Sequence, residues 1–134
     1  MTTTVLPARP NLRPVLWTAP LAGVLAAAVN VALFLLTRSL FDGVLVGPQQ
    51  MSITAGAVVV TSLVGALGAG VVYALLARSG RARLFPGVAL AFLLLSLAGP
   101  LTAAGVPLAV KLTLCAMHVV TYAAVMLLVP RRRA

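Results

Sequence analysis

Acidic residues are almost absent from this chain: among 134 residues there is one, Asp42, against 10 lysines and arginines. A single carboxylate excludes paired-carboxylate acid–base catalysis, carboxylate metal cages and two-metal sites within one chain. Cysteine is equally scarce. Cys115, the one cysteine, makes neither an intrachain disulfide nor a zinc site. One histidine, His118, leaves haem held between two histidines to a symmetric oligomer. Walker-type phosphate loops, His-rich metal motifs and two-cysteine redox motifs are missing as well. These absences remove most enzyme classes, and the reading is a non-catalytic chain with no cofactor and no metal.

What the chain has is apolar surface. Hydrophobic residues make up 62% of it and charged residues 8%, with a mean hydropathy of +1.14, more than a water-soluble domain of this size covers with polar groups. This composition predicts a membrane protein. The formal charge of +9 lies in short arginine clusters between apolar runs, where it sets orientation in a bilayer and does not mark a nucleic-acid surface. Residues 1–14 are polar with Arg9 and Arg13, and the apolar run behind them outlasts a signal-peptide core without a small-x-small cleavage site before Arg38. That run predicts an uncleaved first span.

Runs able to cross roughly 30 Å of hydrocarbon at about 1.5 Å per residue predict four helices in a single domain, at 15–37, 51–77, 85–104 and 107–129. Pro86 and Pro107 stand at helix starts, where a missing N–H costs nothing. Pro20 and Pro100 lie within or near the end of apolar runs and predict a kink or an early helix end. Arg9, Arg13, Arg78, Arg81, Arg83 and Arg131 to Arg133 share one side, against Arg38 and Lys111 on the other, so the positive-inside bias makes both termini cytoplasmic. Short links between helices 2 and 3 and between helices 3 and 4 make neighbours antiparallel. The expected fold is an all-α membrane protein, an up-down bundle of four transmembrane helices. The outer loop, 39–50, alternates turn signals at Asp42-Gly43 and Gly47-Pro48 with apolar residues, and is expected to fold down on the bundle.

Polar residues inside spans are the candidate sites, because hydrocarbon penalises them unless they find partners. Lys111, Cys115, His118 and Tyr122 fall 4, 3 and 4 residues apart, on one stripe of helix 4. A polar track with His118 as a proton or ligand contact is one reading. A histidine bonded to a facing Ser, Thr or Asn is the commoner one. Asn30, Thr61, Ser62 and Ser96 lie at similar depth and supply such partners. In helix 2, Ala57, Thr61, Gly65 and Ala69 form one four-residue ridge and Ser62, Ala66 and Gly70 the next. Gly65, Ala66, Ala69 and Gly70 thereby predict a close helix contact, within the bundle or across a homo-oligomer. Arg38 and Asp42 stand at pairing distance past helix 1, a contact worth about 0–1 kcal/mol when exposed.

Gly23 and Asn30, the 95–100 segment Leu-Ser-Leu-Ala-Gly-Pro, Lys111-Leu112-Thr113-Leu114 leading to Met117-His118, and Pro130 before a basic tail resemble a family of small four-span bacterial membrane proteins, common in actinobacteria, catalogued as domain of unknown function 6069. The resemblance implies the topology above and singles out Asn30, Ser96, Pro100 and His118, without an activity. Fold alone assigns none. The expected function is a non-enzymatic accessory or scaffold bundle of the bacterial plasma membrane, in contact with lipids and with a membrane-protein partner or its own copies. The alternatives are a protomer of an oligomeric small-solute transporter or channel, motivated by Lys111 and His118, and a binder of lipid or quinone.

Overall fold

A computed structural model of the chain describes residues 12–47 and 49–130; the predicted polar segment up to residue 11, Arg9 and Arg131 to Arg133 lie outside the described residues. Four helices follow one another: α1 (Arg13–Leu36), α2 (Ala55–Arg78), α3 (Phe85–Thr102) and α4 (Leu108–Leu128). All are long and apolar enough to cross a membrane, and they form the up-down bundle of the membrane-protein reading.

Local chemistry sets the ends. Pro14 occupies the first turn of α1. At the start of α2 the Thr54 Oγ1 accepts a hydrogen bond from the Ala57 N–H at 3.2 Å, an N-cap that satisfies one of the first-turn donors. That helix starts at residue 55 and not at 51, because Met51 and Ser52 pair antiparallel with Leu45 and Val46. Its far end closes when Arg81 donates to the Leu76 carbonyl at 2.7 Å and Gly80 to Ala77 at 3.1 Å, with Gly80 at φ +72°. This is a Schellman closure, whose left-handed residue favours glycine. Pro20 and Pro100 lie inside their helices, which continue past them; α3 ends two residues beyond Pro100.

The helices are not arranged as a ring in chain order. α1 is central: 39% of its most apolar stretch is buried, against 11% for α3. Its small residues Ala19, Ala22, Gly23, Ala26 and Ala27 are buried, with α2 on one side and α4 on the other. The buried ridge of α2, Val58, Ser62, Ala66 and Gly70, faces α1. A methyl group on Gly70 would lie 2.5 Å from Ala19 Cβ, and one on Gly23 3.0 Å from Leu63 Cδ2. Small residues thus let the α1 and α2 backbones approach. α3 packs mainly on α4 and meets α2 near their connection, where the Tyr73 and Phe85 rings stand edge to face with centroids 5.2 Å apart.

The 37–54 connection does fold onto the bundle. Phe41 is buried against Phe34, with ring centroids 5.2 Å apart, and Val44, Val46 and Ile53 pack on the cluster containing Val106, Val110 and Met117.

Candidate functional site

Because α3 leans on α4 and leaves α2 beyond their shared corner, a lateral groove of about 840 Å³ opens between α2 and α3, with α4 as its floor. One wall is the second ridge of α2, including Ala57, Thr61, Gly65 and Ala69. The other wall is α3, through Val88, Phe92, Leu93 and Ser96. Gly65 and Gly68 widen the α2 side. A methyl on Gly65 would stand 3.5 Å from Thr121 Cγ2, and one on Gly68 would meet nothing within 4 Å. The two predicted small-residue ridges of α2 therefore separate in space: Ala66 and Gly70 lie against α1, whereas Gly65 and Ala69 line the groove.

Polar atoms gather at the α4 floor. Asn30 reaches it from α1 and is 2% exposed. Its Nδ2 donates to Ser62 Oγ at 3.0 Å and to Thr121 Oγ1 at 3.1 Å, and lies 3.2 Å from the Met117 carbonyl. The hydroxyl protons are engaged elsewhere, Ser62 donating to the Val58 carbonyl at 2.8 Å and Thr121 to the Met117 carbonyl at 3.0 Å. Both hydroxyl oxygens are thus acceptors, which assigns the amide nitrogen and not the oxygen to face them. Three helices are tied at one point. Asn30 Oδ1 is buried without a partner in the structure.

His118 belongs to the groove and not to that network. Its Nδ1 lies 2.7 Å from the Leu114 carbonyl of its own helix. A carbonyl only accepts, so Nδ1 carries a proton toward Leu114 and Nε2, on the far edge, is the ring nitrogen left for another partner. Tyr122 and Ser96 also line the groove, and the Ser96 hydroxyl donates to the Leu93 carbonyl at 2.7 Å. Among the described residues no group of three His, Cys, Asp or Glu gathers as a metal site. The groove can therefore hold an apolar body, with the second ring nitrogen of His118 left for a polar contact.

The predicted stripe of α4 diverges. Lys111 Nζ donates to the Leu101 carbonyl at 3.2 Å, where a cation suits the negative end of α3, and Cys115 is half-buried and outside the groove lining. Arg38 begins the turn that follows α1 and Asp42 ends it; the structure records no ion pair between them. Thr121, absent from the sequence-derived candidates, completes the Asn30 network. Its signal was a hydroxyl four residues after Met117 on the same face as His118, which a search for one ionisable stripe passes over.

The model of the family of unknown function (DUF6069) matches residues 10–134. No curated protein and no solved structure matches the chain.

Proposed function

The chain belongs to the family of unknown function (DUF6069), and we propose that it is a non-enzymatic accessory protein of the bacterial plasma membrane that holds a lipophilic molecule in its lateral groove. The observation that carries this reading is the groove itself. It is open toward the lipid between α2 and α3, its volume of about 840 Å³ suits a small-molecule ligand, and its walls are apolar with a few convergent polar side chains on the floor. The ligand class is a lipid or quinol, with an apolar body and a hydroxyl for His118 Nε2.

A transport pathway through one chain is less well supported. Ala22, Ala26, Ala66 and Val110 are fully buried around the tied Asn30, and that packing fills the space where a pore between α1, α2 and α4 would run. The test is native mass spectrometry of the protein purified in mild detergent. Wild type should carry a discrete lipophilic molecule, and Gly65→Leu with Gly68→Leu, which fill the groove from α2, should lose it while melting as wild type does. A wild-type chain free of any such molecule, or a filled groove that keeps it, overturns the reading.

A further inference from the structure

The lining of the α2–α3 groove contains no Lys, Arg, Asp or Glu, so nothing in it recognises a charged headgroup. Val46 and Ile53, from the 37–54 connection, line one end, and Phe85, 1% exposed at the start of α3, lines the other. A ligand therefore enters from the side, out of the bilayer. Three helices meet the groove at one level. Gly65, Phe92 and His118 each stand ten residues from the end of their helix that lies toward the 37–54 connection, roughly 15 Å along it. There α2 offers no side chain, α3 an aromatic ring and α4 an imidazole, a gap suited to a flat ring laid against Phe92. Thr61 and Ser96 line the opposite walls about one turn nearer the connection.

The hydroxyl protons on those walls are already committed. Thr61 donates to the Ala57 carbonyl at 2.8 Å and Ser96 to the Leu93 carbonyl at 2.7 Å, which leaves each oxygen as an acceptor. A ligand group that only accepts, such as a quinone carbonyl or an ether, leaves both oxygens unmatched, whereas a hydroxyl donates to one of them. Resting on the reading of this groove as a lipophile site, we infer that it selects an uncharged aromatic lipophile by its hydroxyl groups, and so takes the reduced, dihydroxy form of a quinone in preference to the oxidised form. The ring lies at the level of Gly65, Phe92 and His118, one hydroxyl points to Thr61 and Ser96, and the tail leaves between α2 and α3. The Tyr122 hydroxyl also lines the groove, but it both donates and accepts and serves either form. Discrimination therefore falls to the two committed hydroxyls.

The test titrates the full chain, in mild detergent and without oxygen, with a decyl benzohydroquinone, the benzoquinone formed from it by oxidation, and its dimethyl ether, and reads occupancy by native mass spectrometry. Wild type should bind the hydroquinone about threefold to tenfold more tightly than either of the others, the worth of one hydrogen bond. Thr61→Val combined with Ser96→Ala should erase that preference without weakening the other two probes, and Gly65→Leu should abolish binding of all three. Equal affinity for the three probes, lost in Gly65→Leu, overturns selection by the hydroxyl and leaves the groove a lipophile site. A hydroquinone preference that persists in the Thr61 and Ser96 double variant, or in Gly65→Leu, places the recognition elsewhere and overturns the inference. Binding of none of the probes by wild type overturns it as well, while the molecule carried through purification still decides the broader reading.

Discussion

Glycine has two opposite roles in α2, and single methyl groups distinguish them. At Gly70 an added methyl lies 2.5 Å from Ala19 Cβ, so α1 and α2 must move apart; Gly70→Ala is expected to cost about 1–3 kcal/mol, the range for overpacking. At Gly68 the same methyl meets nothing; Gly68→Ala should be neutral or gain up to about 1 kcal/mol through helix propensity. Unfolding of the two variants in mild detergent reads both, and equal effects would contradict the assignment of ridges. Asn30 is the other decisive residue. Asn30→Ala removes donors to Ser62 and Thr121 but leaves each hydroxyl bonded to its own helix, so the loss should be about 1–2 kcal/mol, with interhelical bonds in membranes averaging about 0.6 kcal/mol each. A double-mutant cycle with Thr121→Val should show positive coupling; strict additivity would mean that the hydrogen bond between them contributes nothing.

Among the elements, the spans were legible because runs of Leu, Ala and Val without period-2 alternation have one solution in lipid. The start of α2 was not. Met51 and Ser52 sit in a two-residue ladder with Leu45 and Val46, too short to alternate visibly, and the apolar Ile53 continues the run into the helix. The 37–54 connection is anchored by Phe41, and an aromatic pair adds about 0.5–1.5 kcal/mol beyond its buried area. Phe41→Ala should therefore release the connection, raising proteolytic cleavage within 42–50 by about tenfold while the four helices persist. Unchanged cleavage would mean the strand pairing alone holds this segment. On α4, spacing placed Lys111, His118 and Tyr122 on one stripe, yet it carries no information about neighbours. Lys111 turns to α3 because Leu101 offers a carbonyl there, whereas His118 and Tyr122 face the gap.

At the scale of the molecule, the order of helices in space decides the function proposed. Short links made α2 and α3 antiparallel neighbours in sequence, but side-chain volume decides which helices touch, and the small face of α1 draws in α2 and α4 and leaves α3 outside. That arrangement creates the groove, and no periodicity in one helix reveals it. The same up-down arrangement puts Arg13, Arg78, Arg81 and Arg83 at one end; with the positive-inside bias, that end is proposed to be cytoplasmic. Reporter fusions after Gln50 and after Arg83 should then give periplasmic and cytoplasmic signals respectively, and the reverse pair would invert the orientation.

The gap between α2 and α3 is proposed to hold a particular molecule and not bulk lipid. Phe92 and Leu94 are both exposed on α3, 61% and 60%, but Phe92 lines the groove and Leu94 does not. A benzophenone amino acid placed at either position, irradiated in native membranes and followed by mass analysis of the adducts, compares the two environments directly. Position 92 should yield one dominant lipophilic adduct that disappears when Gly65→Leu is added, while position 94 yields the mixed lipids of the surrounding bilayer. The same mixture at both positions would contradict the claim.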